Sequence, residues 1–296
     1  MRRRFVTLDV FTSQRFAGNP VAVVLDAEGL PDLTLKAVAR EFNLSETVFV
    51  LPARCPAHRA RLRIFTPLTE LPFAGHPTVG TAALLAHLDG GPHPRDFVLE
   101  EGVGPVRCSV HPIDDGHAHA RFELPHPPAE VGPAAAPDRL AAALGLSPPD
   151  IGCEGFLAAR WTAGVPITFV PVRSLAQIRK CRVDLRHWDA IDQPGAAFVF
   201  CRETVEPDHD FHARMFAPLM GVPEDPATGS AVAAFAGLLA RSVPLGDGDH
   251  RQVIEQGYAM GRPSLITLLV TVRDHDLNRV AIGGHVVTVS DGTIEA

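Results

Sequence analysis

Apolar and polar residues alternate through "FVTLDVF" (5–11) and "RLRIFTP" (61–67), and β-branched residues crowd "VAVVL" (21–25) and "ETVFVLP" (46–52). Period-two alternation sends successive side chains to opposite faces of a pleated strand. These segments therefore predict strands, as do "DFVLEE" (96–101) and "GPVRCSV" (104–110). "LTLKAVAREFN" (33–43) has helical spacing instead and closes before Asn43. "TVGTAALLAHL" (78–88) and "ATGSAVAAFAGLLARS" (227–242) are small and apolar on nearly every face. A helix of that kind belongs inside the protein, not on its surface. Each half of the chain thus reads as many short strands and one apolar helix. This predicts a sheet curled or closed around a central helix, not a βαβ array.

The two apolar helices lie in a repeat. Shifted by 151 positions without gaps, "RIFTPLTELPFAGHPTVGTAALLA" falls on "RMFAPLMGVPEDPATGSAVAAFAG". Arg63 meets Arg214, Phe65 meets Phe216, Pro67-Leu68 meets Pro218-Leu219, Pro72 meets Pro223, and Ala82-Ala83 meets Ala233-Ala234. Upstream, "RFAGNPVAVVL" (15–25) resembles "WTAGVPITFVP" (161–171), each with a Gly-x-Pro turn before a β-branched strand. Two echoes in the same order at nearly the same offset point to duplication. The Pro- and Ala-rich "PHPPAEVGPAAAP" (125–137) marks the boundary, giving an N-terminal half 1–122 and a C-terminal half 123–279. The strand at about 280–296 is expected to return to the first half, with the active site in the cleft between the halves.

Composition narrows the function. A chain of 296 residues with 46% hydrophobic and 21% charged residues has material for a large core. A net charge of -7 gives no electrostatic reason to expect nucleic acid or an anionic membrane as partner. Arg2-Arg3-Arg4 could open a targeting signal, but Asp9 and polar residues follow where an apolar region is required. With no long apolar run either, the protein is expected in the cytoplasm. Five cysteines without CxxC spacing fit reduced thiols and argue against a disulfide framework or a zinc site. GxxxxGK[ST], GxGxxG after a strand, GxSxG and HExxH do not occur, so no cofactor, metal or serine nucleophile is expected. His117, His119 and His126, and His209 with His212, fall in Pro-, Asp- and Gly-rich stretches and read as solvated loops.

Three polar spots stand against apolar surroundings. In "NLSETVFV", Ser45 and Glu46 lead into a hydrophobic strand, although glutamate is poor strand material. In "FAGHP", Gly75 and His76 stand at the mouth of the first apolar helix. In "EDPATGSA", Asp225, Thr228, Gly229 and Ser230 stand at the mouth of the second. The plain alternatives are a surface or capping Glu46, an incidental His76 in a tight turn, and capping roles for Asp225 and Ser230. Helix mouths carry unpaired N–H groups and the positive dipole end, so a matched pair could hold a carboxylate without Lys or Arg. Glu46, His76 and Asp225 together suit removal and return of a proton at carbon. Burial disfavours a charged carboxylate and would let Glu46 act as acid as well as base. The reaction class is isomerisation or epimerisation.

"FAGNP", "NLSETVFV", "RIFTPLTELPFAGHPTVGTA", "EDPATGSA" and "GRPS" together resemble the signature of the PhzF-type, phenazine biosynthesis-like isomerases, over nearly the whole chain. The resemblance implies an α+β, diaminopimelate epimerase-like fold with two pseudo-symmetric halves, each a rolled sheet around a central helix. In the namesake enzyme a proton moves from C3 to C1 of trans-2,3-dihydro-3-hydroxyanthranilate without a cofactor. The resemblance makes Glu46 the general acid/base and gives His76 and Asp225 positioning and proton-shuttling roles. Gly75 and Ser230 would contact the substrate carboxylate or ring, and the assembly would be a homodimer. The related epimerases carry one cysteine at each helix mouth. Here Ala74 and Pro226 stand there, which removes two-cysteine chemistry. Two alternatives stay open: an isomerase of another small amino-acid-like compound, and a non-catalytic protein that binds a small anion or a protein.

Overall fold

A computed structural model describes residues 2–114, 116–192 and 195–296. The chain divides into two units, Met1–Pro125 with Ile282–Ala296, and His126–Ala281.

The first unit is a closed barrel. β1 (Arg2–Val10) pairs antiparallel with β2 (Asn19–Val24), and β2 runs parallel to β3 (Glu46–Leu51). β3 pairs antiparallel with β4 (Ala60–Phe65), which carries the short β5 (Glu70–Leu71) and lies parallel to β6 (Arg95–Glu101). β6, β7 (Gly104–Asp114) and β8 (His117–Glu123) form an antiparallel meander. The C-terminal strand (Asp276–Glu295) pairs with both β8 and β1 and closes the ring. Among the described residues the ring itself therefore closes without an end strand.

Helix α1 (Asp32–Phe42) packs outside the barrel through Leu35, Val38 and Ala39, against Val24, Phe49 and Phe65. It stops at Asn43, whose φ of 51° ends the helix in the left-handed region. Inside lies α2 (Gly75–Asp89), buried on every face from Gly75 to Ala86. This is why its sequence lacks an amphipathic stripe. Gly80 allows the close approach: a Cβ there would lie 2.9 Å from Val10 Cγ2 and 3.0 Å from Val21 Cγ1.

The second unit repeats the plan. β9 (Ala129–Pro133), β10 (Ala159–Thr162) and β11 (Pro166–Pro171) are antiparallel, and β11 runs parallel to β12 (Ala197–Cys201). β12 pairs antiparallel with β13 (Phe211–Ala217), which carries the short β14 (Val222–Asp225) and lies parallel to β15 (Gly248–Gln256). β15 continues antiparallel into β16 (Ser264–Arg273). Helices α3 (Pro137–Ala143) and α4 (Leu175–Lys180) pack around Trp188 in a separate apolar cluster. The central helix α5 (Gly229–Ser242) sets Phe235 within 6.1 Å of the rings of Phe156, Phe169, Phe198, Phe200 and Phe211.

The duplication extends to hydrogen bonds. In the first unit the Glu100 carboxylate accepts the N–H groups of Arg54 and Cys55 and a bond from His58 Nδ1 at 2.9 Å. In the second, Glu255 accepts those of Val205 and Glu206 and a bond from His209 Nδ1 at 2.8 Å. Residues 54, 55 and 58 plus 151 are 205, 206 and 209. Each glutamate therefore ties down the loop ahead of the strand beside it. The second clamp adds His212 Nδ1 at 2.7 Å.

This corrects the reading of the histidines as solvated. His212 is buried and His209 nearly so, because both rings close over the fully buried Glu255. His117 and His119 lie on β8, half-buried, with His119 ring-to-ring against His285. His126 is exposed. The five cysteines are free thiols, and among the described residues no helix is long and apolar enough to cross a membrane.

Candidate active site

The first cluster gathers where β2, β3 and α2 meet. Val21 pairs with Glu46 in the parallel ladder, so β3 begins level with the "GNP" turn. Asn19 is fully buried, and its Oδ1 accepts the Ser45 hydroxyl at 3.1 Å. The turn is strained: Phe16 has φ of 71° and Gly18 of 64°, and the buried Asp9 carboxylate takes the Phe16 N–H at 2.6 Å. A Cβ on Gly18 would lie 2.3 Å from the Val10 carbonyl, so only glycine fits there.

His76 occupies the first turn of α2, whose Ala74 N-cap offers no side chain to the helix N–H groups. Its Nε2 lies 3.5 Å from Glu46 Oε2, with the imidazole side chain 4% exposed and the carboxylate 15%. The ring also hydrogen-bonds the Pro20 carbonyl, while Nε2 has no hydrogen-bond partner. Burial pushes the imidazole down to about 3, against a smaller upward effect of the Pro20 carbonyl, so His76 is neutral at physiological pH. A neutral ring that donates to a carbonyl presents its other nitrogen as an acceptor. That acceptor faces a carboxyl oxygen, an arrangement in which a proton carried by Glu46 has a place to go.

The second cluster is built on the turn from β14 into α5. The Thr228 hydroxyl donates to Asp225 Oδ2, and Thr228 is the N-cap residue, with Gly229 and Ser230 opening the helix. Asp225 thus ends a strand three residues before the N-cap and holds that residue through its hydroxyl. Gln256 braces the turn: its Oε1 accepts the Thr228 N–H at 3.1 Å, and its Nε2 donates to the Asp225 carbonyl at 2.7 Å. Gly257, with φ of 79°, lets the chain pass there, since a Cβ would lie 2.6 Å from the Pro226 carbonyl.

Ser45, Glu46, Gly75 and His76 are therefore one group in the first unit, and Asp225, Thr228, Gly229 and Ser230 one group in the second. Asn19, Asp9 and Gln256 were not legible as site residues. Asn19 is one residue of the "FAGNP" turn with nothing in the sequence to mark a role, and a fully buried glutamine at the end of a strand leaves no mark either. Among the described residues no cluster of metal-ligating side chains occurs.

The family model for phenazine biosynthesis-like proteins matches residues 8–292. The chain belongs to that family. An uncharacterized isomerase of Mesorhizobium japonicum is 48% identical over 298 residues, covering 99% of this chain and 98% of its own. The trans-2,3-dihydro-3-hydroxyanthranilate isomerase of Pseudomonas chlororaphis is 36% identical over 293 residues, covering 98% of each. The crystal structure of a PhzF-family phenazine biosynthesis protein from Bacillus anthracis superposes over the full length of both chains, with a TM-score of 0.89 at 24% identity. This PhzF-family chain has the α+β, diaminopimelate epimerase-like fold and is an isomerase.

Proposed function

We propose that this PhzF-family protein shifts a proton between carbons of a small carboxylated, cyclic substrate by general acid/base catalysis, without a cofactor. The observation that carries the reading is the approach of Glu46 to a buried, neutral His76 at an uncapped helix N-terminus. In this proposal Glu46, as carboxylate, takes a proton from a substrate carbon. The C–H electron pair moves into the adjoining π system, and Glu46 returns the proton at a second carbon. No electrons are gained or lost, so the chemistry requires no redox partner. Once Glu46 has taken the proton, the acceptor nitrogen of His76 holds the protonated carboxyl by a hydrogen bond, and the N–H groups of Gly75 and His76 favour a bound carboxylate.

In this reading Asp225 is the second carboxylate, and Thr228, Gly229 and Ser230 are substrate-binding residues. The activity of the Pseudomonas relatives supports a dihydroanthranilate-type substrate as the first to test. The assay is incorporation of solvent deuterium into that substrate during turnover. Wild type is expected to exchange and isomerise, and Glu46→Gln to lose at least a hundredfold in both. Full exchange by Glu46→Gln would overturn the assignment of the base. Binding without exchange by the wild type would favour a non-catalytic role.

A further inference from the structure

A second carboxyl, Glu101 at the end of β6, reaches the same helix mouth from below. It is 9% exposed, and its Oε1 lies 2.7 Å from Thr78 Oγ1. That hydroxyl is also 2.7 Å from the Ala74 carbonyl, one turn back along α2. A threonine hydroxyl has one proton. If Glu101 were ionised, that proton would face two acceptors, and one short O···O contact would hold no hydrogen. If Glu101 is the neutral acid, both contacts are filled: Glu101 donates to Thr78, and Thr78 donates to Ala74. The other oxygen, Oε2, is buried without a hydrogen-bond partner, an expensive position for a carboxylate and a tolerable one for an acid.

The surroundings agree. Thr78 comes from α2, and the charges of Glu101 and of Glu123 on β8 both act on the Cys108 thiol of β7. Pro72 covers the following turn, where its carbonyl takes the Val103 N–H. The neighbouring Glu100 is engaged by the loop of residues 54–58. Among the described residues no cation reaches Glu101. Burial pushes its carboxyl up to about 8, against a smaller lowering by the Thr78 hydrogen bond, while burial and the two glutamates push the Cys108 thiol well above its ordinary range.

We propose that Glu101 is a positioning residue of the first helix mouth: as the neutral acid it secures Thr78 and with it the turn presenting Gly75 and His76, and its ionisation releases that turn. The link from Glu101 to turnover rests on the proposed isomerase reading; the link to the helix mouth does not. Glu101→Gln keeps a donor for Thr78 but cannot ionise.

The test follows the His76 imidazole by nitrogen-15 NMR from pH 6 to 10, with its signals assigned by their loss in His76→Gln. In wild type the signals are expected to move with a midpoint near pH 8, and kcat to fall over the same range. In Glu101→Gln the signals should hold still and the alkaline fall in kcat should vanish. Infrared spectra provide a check independent of activity: a protonated-carboxyl band at pH 7, missing from Glu101→Gln and bleached in wild type near pH 8. Absence of that band, or His76 signals that move alike in both proteins, would overturn the proposal. Should no substrate exchange be found, the spectra still decide the role of Glu101, so the two readings fail separately.

Discussion

Replacing Glu255 by glutamine removes one charge from a buried cluster of a carboxylate and two histidines. The carboxylate has no solvent exposure and accepts from Val205, Glu206, His209 and His212 at 2.7–2.8 Å. Burial alone would raise its carboxyl, but the bonds from His212, the two amides and His209 outweigh burial and hold it at about 2. A glutamate held at about 2 instead of its ordinary 4.5 stabilises the fold by roughly 3 kcal/mol at neutral pH. The sign follows from the lowered value: this stability is complete above pH 4.5 and is lost as pH falls toward 2. Glutamine is the neutral analogue of the protonated acid, so the variant lacks the same roughly 3 kcal/mol at pH 7, a drop in Tm on the order of 10 °C. Its amide also turns a donor toward a pocket of donors, which adds to the loss. The assay is denaturant unfolding of both proteins at pH 7, 5 and 3. A difference that narrows steadily below pH 5 supports the argument. A difference under about 1 kcal/mol, or one independent of pH, would refute it. Glu100→Gln serves as the internal control, with a smaller loss expected because that clamp has one histidine and is partly exposed.

Three further outcomes are expected. Gly80→Ala should cost about 1–3 kcal/mol in chemical unfolding, because its Cβ would meet Val10 and Val21 in a filled barrel. Phe16→Gly should raise stability by up to about 1 kcal/mol, since the ring is 74% exposed and φ of 71° suits glycine; a loss in thermal melts would contradict this. His76 should make the fold acid-sensitive: its imidazole lies below the unfolded value of 6.5, so stability is lost as pH falls from 6.5 toward 3. His76→Gln should flatten that part of the stability profile, read by fluorescence-detected unfolding.

The barrel was legible because its signals are local and repeated. Alternation marked the strands, an all-round apolar composition marked α2 and α5, and the 151-residue shift showed that one plan is used twice. Boundaries moved where capping decides them. α2 begins at Gly75 and not Thr78, since Ala74 takes the extended N-cap conformation, and α5 begins at Gly229 after Thr228. The histidines around Glu255 misled for a physical reason. "PDHDFH" has the composition of a solvated loop, and what buries it is a carboxylate that arrives from β15, more than forty residues later. Glu101 was hidden in the same way. In "VLEEGVG" two adjacent glutamates look alike, yet the pleat sends Glu100 to a loop of N–H donors and Glu101 into the barrel beside Thr78.

That pleat also explains how one strand end holds two carboxyl groups in opposite states. Glu100 sits among two amides and an imidazole, and those donors hold its carboxyl down at about 2. Glu101, one residue on, meets one hydroxyl and apolar walls, and burial holds it up at about 8. Between those limits the first is an anion fastening the loop before β4, and the second an acid fastening the first turn of α2. The second unit keeps the anionic member of this pair at Glu255, but the next residue there is Gln256, a side chain that cannot titrate. Gln256 does for the Asp225–Thr228 turn what the neutral Glu101 does for the Ala74–Thr78 turn: Gln256 bonds Thr228 and the Asp225 carbonyl directly, and Glu101 bonds Thr78, which in turn bonds the Ala74 carbonyl. The duplicated scaffold thus uses a neutral hydrogen-bonding side chain at the same place in both units, one by chemistry and one by burial, and only the buried acid gives its helix mouth an upper limit in pH.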